Sequence, residues 1–311
     1  MRSSVPRVLT VLAAAWSLAA CDGAATAPGA TATPPAGAAG EPPGWDLVYE
    51  RVIDGNQDLY VTPAGGVERR LTDHPATDGL PRWTPDGGSV LFTSERSGNW
   101  QIWEVPAEGG EARRVRTNPH TEWQVDLSPD GSRLAFLSDR EGPEYLWVLN
   151  RPSGQVRALV KHGRSSILGN PDWSPDGTRI VFSSNWRVGH QIYVVDAASG
   201  ETRRLSGILR GACEPRFAPD GRKVVYVSRG LRSEKSRLVE HDVETDEQRI
   251  LVAWPALNYD PAYSPDGTEV AFASNITGEY AVYRQRLSDG RSWRVTHGPG
   301  PARYPDYRPV R

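Results

Sequence analysis

The tripeptide Pro-Asp-Gly recurs along this chain at Pro85-Asp86-Gly87, Pro129-Asp130-Gly131, Pro175-Asp176-Gly177, Pro219-Asp220-Gly221 and Pro265-Asp266-Gly267, at intervals of 44, 46, 44 and 46 residues. Each copy is a turn by its chemistry: proline fixes φ, aspartate bonds back to its own backbone, and glycine tolerates positive φ. The flanks are strand-like. In the stretch Pro171-Asp172-Trp173-Ser174-Pro175-Asp176-Gly177-Thr178-Arg179-Ile180-Val181-Phe182, the turn leads into a β-branched and aromatic run that is apolar on both faces, as in a strand covered on both sides. A β unit repeated at this period, without helical patterning, points to a propeller of four-stranded blades.

Four strand columns follow. The first, before each turn, carries Trp83, Leu127, Trp173, Phe217, Tyr263 and Tyr307. The second carries Tyr49, Phe92, Phe136, Phe182, Tyr226 and Phe272, and the third Tyr60, Trp103, Trp147, Tyr193, Val239 and Tyr283. The fourth is short and basic, then apolar, as in Arg69-Arg70-Leu71 and Arg203-Arg204-Leu205. The two ends are offset: residues 46–72 supply a second, third and fourth strand, and residues 303–309 supply a first strand only. The expected fold class is therefore all-β: a six-bladed β-propeller of four-stranded antiparallel blades, closed by the C-terminal strand joining the N-terminal blade. Such closure leaves no long exposed edge.

The remainder of the chain is organised around that ring. Residues 1–20, with Arg2 and Arg7 ahead of an apolar run from Val8 to Ala20, read as an export signal. Leu18-Ala19-Ala20-Cys21 resembles the bacterial lipobox, which implies cleavage before Cys21 and lipidation of that cysteine; the other reading is a plain signal peptide with an incidental cysteine. Residues 21–44 are rich in Ala, Pro, Thr and Gly with little charge and form a tether. Residues 45–311 form the propeller. Removing residues 1–20 shifts the net charge from −2 to −4, which argues against nucleic acid as a partner. Cys21 and Cys213 are the only cysteines, so acylation of Cys21 leaves no intramolecular disulfide, and Cys213 reads as a small buried side chain.

Catalytic signatures are missing. There is no Gly-x-Ser-x-Gly, no His-Glu-x-x-His, no Cys-x-x-Cys and no phosphate-binding Gly-rich loop with lysine. Asp54-Gly55-Asn56-Gln57-Asp58 starts like a calcium loop but lacks the later glutamate and falls at a hairpin. No cofactor and no metal-ligand set is expected. Four histidines, His74, His120, His162 and His297, lie between a fourth strand and the next first strand, in segments that run from rim to axis. The same segments end in Gln124, Asn170, Glu214, Asp260 and Tyr304, with Leu80 at that place in the remaining blade. Together these residues form a candidate binding face at the channel mouth. The competing reading makes them solvated loop residues, with Glu214 and Asp260 capping backbone groups.

Residues 71–87 and 170–177, the latter followed by Gln191-Ile192-Tyr193-Val194-Val195-Asp196, resemble the WD-like repeat of the TolB propeller family, and the similarity runs from residue 46 to residue 309. The resemblance implies a periplasmic propeller used for protein contacts in the bacterial cell envelope, as in the Tol–Pal system. Two departures stand out: TolB has an α/β domain ahead of its propeller where this chain has a tether, and TolB carries no lipobox. The expected function is a non-enzymatic protein–protein interaction module, a monomeric lipoprotein anchored through Cys21 on the periplasmic side of a membrane, with envelope proteins as partners. The alternative is a carbohydrate- or small-ligand-binding propeller, including a metal-dependent polysaccharide lyase-like enzyme.

Overall fold

Each Pro-Asp-Gly turn closes on itself in the same way. In this computed structural model, which describes residues 44–163, 165–186, 189–207, 211–229 and 234–310, the glycine N–H donates to the carbonyl three residues back, at 2.7–2.9 Å in all five copies. The aspartate Oδ1 accepts from the hydroxyl two residues earlier in four of them: Thr84 (2.6 Å), Ser128 (2.5 Å), Ser174 (2.6 Å) and Ser264 (2.7 Å). These bonds to the ionised form hold Asp130 well below the carboxylate range and lower Asp176 to about 2, the Ser128 and Ser174 hydroxyls being the leading causes. Glycine is required because φ at the third turn position lies between 62° and 69°.

The described residues form 24 strands in six antiparallel sheets of four, with no helix. Blade 1 is the composite one: Ala302–Tyr307 lies beside Leu47–Ile53, followed by Asn56–Thr62 and Arg69–Arg70. Blades 2 to 6 begin with first strands Asp78–Trp83, Glu122–Leu127, Leu168–Trp173, Gly211–Phe217 and Asn258–Tyr263. The ring closes as the offset ends predict: Leu47 pairs with Tyr307 and Val48 with Asp306. Arg308 adds a backbone bond to the Asp46 carbonyl and an ion pair to the Asp46 carboxylate at 3.0 Å.

The second and third columns meet as directly opposed cross-strand pairs in every blade: Tyr49 with Tyr60, Phe92 with Trp103, Phe136 with Trp147, Phe182 with Tyr193, Tyr226 with Val239 and Phe272 with Tyr283. All six second-column residues are buried. Such pairs add to the ~25 cal/mol per Å² that apolar burial contributes. The hydrophobic clusters cross from one blade to the next; one holds Trp123 and Leu146 of blade 3 with Trp173 and Phe182 of blade 4. Blades are also stitched by arginines that reach over the neighbouring ring. Arg133 donates to Gly177 O (2.8 Å) above Trp173, Arg179 to Gly221 O (2.9 Å) above Phe217, and Arg308 to Gly87 O (2.9 Å) above Trp83.

Asp54-Gly55 is a two-residue hairpin turn between paired Ile53 and Asn56. Asp58 is buried and accepts from Asn56 (2.7 Å) and Arg70 (2.5 Å), so its charge is spent inside blade 1. Cys213 is buried within the first strand of blade 5. The expected export signal, Cys21 and nearly all of the expected tether lie outside the described residues.

Candidate functional site

The residues singled out at the channel mouth occupy a backbone feature that the sequence does not display. In every first strand the register against the second strand slips at one place. The residue at the slip is left-handed: Leu80 (φ 57°), Gln124 (49°), Asn170 (51°), Glu214 (55°), Asp260 (55°) and Tyr304 (52°). They therefore stand inside the first strands rather than before them. Such a φ costs a non-glycine residue about 1–2 kcal/mol, and it is repeated here in all six blades.

A hydrogen-bond lattice between blades holds the bulges. The Asn170 N–H donates to Gln124 Oε1 (2.8 Å), the Asp260 N–H to Glu214 Oε2 (2.6 Å) and the Tyr304 N–H to Asp260 Oδ2 (3.3 Å). In the composite blade, Glu50 accepts from the Leu80 N–H at 2.9 Å. Arg303 anchors the arc: its guanidinium donates twice to Asp260 (2.9 and 3.1 Å), lies 3.8 Å from Glu214, and covers the rings of Tyr259, Tyr280 and Tyr304. Gln124, Glu214, Asp260 and Tyr304 are 5–6% exposed, while Leu80 and Asn170 are half-buried. Capping of backbone groups by Glu214 and Asp260 is thus what the geometry displays, and it makes the mouth rigid.

Two of the four histidines, His162 and His297, stand apart from that ring. His74 and His120 are fixed at their backbone: Asn56 donates to the His74 carbonyl (3.0 Å), and Asn99 donates to the His120 carbonyl (3.2 Å). His162 is buried, bonded to Ser184 Oγ (3.0 Å) and stacked 4.2 Å from Trp186. His297 is exposed and lines an outer groove with Trp45 and Arg294. Among the described residues no three His, Cys, Asp or Glu side chains converge in a way that could hold a metal ion.

A second ring lies two residues further along the first strands: Arg82, Asp126, Asp172, Arg216, Ala262 and Asp306. Three carboxylates again latch onto the next blade. Asp126 accepts from Trp173 N (2.7 Å), Asp172 from Phe217 N (2.7 Å) and Asp306 from Trp83 N (2.8 Å). Arg216 pairs with Asp172 (3.0 Å) and Asp306 (3.5 Å). Burial pushes all three carboxyls up; the Arg82 guanidinium pulls Asp126 and Asp306 back, and the neighbouring Asp126 raises Asp172 further. Below this ring the opposite mouth is a cavity of about 520 Å³ walled by Trp83, Trp173, Phe217 and Tyr307. Sequence reasoning missed this ring, as well as Glu50 and Arg303. Its signal was the Asp or Arg standing immediately before the aromatic of the first column.

The geometry presents a polar mouth braced by bonds between blades. Comparison with known proteins agrees with the fold. Tol-Pal system protein TolB of Bordetella pertussis is 47% identical over 49 residues, which is 15% of this chain and 11% of that protein. The crystal structure of TolB from Acinetobacter baumannii superposes with a TM-score of 0.74 at 19% identity, covering 86% of this chain and 67% of that one. An oligogalacturonate lyase solved in complex with manganese gives 0.58 at 17% identity over 81% of this chain and 74% of its own. The latter two likenesses show the fold alone. The TolB beta propeller domain pattern matches residues 23–129, 124–230 and 210–310. Matched along nearly its whole length, the chain belongs to the TolB beta-propeller domain family.

Proposed function

We propose that this chain is a non-enzymatic interaction module of a bacterial cell envelope, and that its bulge-lined mouth docks a partner protein. The observation that carries the reading is the mouth itself: six strained residues in one ring, four of them bonded through their N–H to a neighbouring blade. Strain kept at one place is a mark of a working surface, and a surface that does not reorganise loses little entropy on binding. TolB relatives of this family are named for the Tol-Pal system, which supports an envelope protein as the partner. His74, His120, Gln124, Asn170, Glu214, Asp260 and Tyr304 belong to the proposed face; His162 and His297 stand away from it.

The proposal includes export through residues 1–20, a lipid on Cys21, a tether to residue 44, a position on the periplasmic side of a membrane, and a monomeric state. Lipidation of Cys21 and a disulfide from Cys213 to Cys21 exclude each other, because the chain has no third cysteine. The lyase-like alternative rests on the fold shared with the manganese-bound oligogalacturonate lyase alone.

The test uses the two half-buried mouth residues, because Glu214 and Asp260 are too deeply built in for charge reversal. Asn170→Arg and Leu80→Glu should keep the melting temperature while reducing the partner recovered with the tagged chain from envelope extracts. Recovery equal to the parent's, with folding intact, overturns this face.

A further inference from the structure

The outer wall between blades 2 and 3 departs from the ring's pattern. In three of the other five blades the first arginine of the fourth strand reaches across to a carbonyl in the next blade's turn: Arg69 to Ala107, Arg157 to Ala197, and Arg203 to Val243 at 2.6 Å. Arg113 is the counterpart in the strand Arg113–Arg114, yet it is exposed and makes no such bond among the described residues. Where the other turns carry the apolar Ala107, Ala197 and Val243, the turn facing Arg113 carries Arg151, so a second cation stands beside it.

The adjoining arginines are also under-neutralised. Arg70, counterpart of Arg114, pairs with Asp58 (2.5 Å) and Asp73 (2.8 Å); Arg114 itself has the Trp103 ring 6.0 Å away. Arg116 Nε is 3.9 Å from Glu122, which is engaged more closely by Arg140, and its Nη1 is buried with no hydrogen-bond partner. Arg151 is 3.9 Å from Glu104 and donates to Gly131 O at 3.2 Å. All four guanidiniums line one groove of about 440 Å³ whose single carboxylate is Glu104, with Val115 and Leu149 as apolar wall. Like charges gathered this way repel unless an anion joins them.

We infer that this groove binds a phosphoryl group, carried either by a lipid headgroup or by a soluble phosphate. A planar carboxylate satisfies one guanidinium fork. A phosphate monoester brings three acceptor oxygens and a charge near −2, and a lipid phosphodiester two oxygens and one charge; either can meet more than one fork. Arg113 and Arg151 are the exposed donors, and Arg114 and Arg116 complete the charge.

The test titrates the full-length chain with inorganic phosphate by calorimetry, and floats it with vesicles of phosphatidylcholine alone or with 30% phosphatidylglycerol added. The anchor contributes equally to both vesicles, so the difference between them reads the groove. Saturable phosphate binding weakened at least tenfold in Arg113→Gln/Arg151→Gln assigns a soluble source. An excess on anionic vesicles that the double variant abolishes assigns a headgroup. Should melting show the double variant unfolded, Arg113→Gln alone carries the same comparison. No binding in either arm, or binding that the variant leaves unchanged, overturns the inference.

Discussion

Closure by the last strand can be measured at Tyr307. Its ring packs against Leu47, Tyr49, Ala262 and Val282 across the junction of blades 1 and 6, and it is 5% exposed. Truncating a buried aromatic to alanine costs about 3–5 kcal/mol. Part of that is returned, because the Tyr307 hydroxyl is buried without a hydrogen-bond partner and such a group costs about 1–3 kcal/mol. Tyr307→Ala should therefore destabilise by about 2–4 kcal/mol, while Tyr307→Phe, which keeps the ring and discards the stranded hydroxyl, should be neutral or gain about 1 kcal/mol. Urea unfolding at pH 7 on parent and both variants reads the two numbers. An unchanged midpoint for Tyr307→Ala means the terminal strand is not what closes the ring; a loss for Tyr307→Phe as large as for alanine means the hydroxyl has a partner and the packing argument fails.

Four further outcomes are expected. Arg303→Met leaves Asp260 buried without its bidentate partner and should cost about 3–5 kcal/mol by chemical denaturation. Gly300→Ala would put a Cβ 1.9 Å from the Val52 carbonyl oxygen at φ 79°, just ahead of the closing strand, and should lower stability by about 3 kcal/mol or more in the same assay. Stability should rise as pH falls from 8 to 5: burial raises Asp126, Asp172 and Asp306 in the folded state and lifts Glu144 to about 8, so these groups hold more protons folded than unfolded, and their contribution is lost as pH rises through the folded values. Glu144 keeps some solvent contact, which reduces the size of its effect and not its sign; melting curves of Asp126→Asn should show a flatter slope over that range. Intact mass of the membrane-extracted protein should show a diacyl or triacyl adduct at Cys21 that Cys21→Ser removes together with membrane association; a mass two hydrogens below the unmodified chain shows the disulfide instead.

What the sequence made legible was whatever recurs in step with the Pro-Asp-Gly turn. The aromatic columns are readable because each faces the neighbouring blade at the same strand position, and Tyr307 stands ahead of Arg308-Pro309 as Trp83 stands ahead of Thr84-Pro85. The left-handed bulges are not readable. Leucine, glutamine, asparagine, glutamate, aspartate and tyrosine share no side-chain reason for positive φ; bonds to neighbouring blades hold it at Leu80, Asn170, Asp260 and Tyr304, and those exist only once the ring is closed. The Asp and Arg residues of the inner ring look solvent-facing in a strand taken alone. Ring closure turns that strand edge toward the axis and buries them. His162 stands apart from the mouth for a local reason: it finds Ser184 and Trp186 within its own blade.

The claim on which the account rests is that the bulge-lined mouth meets a partner. Photo-reactive residues placed at Leu80 and Asn170, with Val67 and Ile250 on the exposed outside as controls, test it in intact envelopes. The account predicts one protein adduct from both mouth positions and none of that size from the controls. Adducts from the controls alone, or the same products from all four positions, would contradict it.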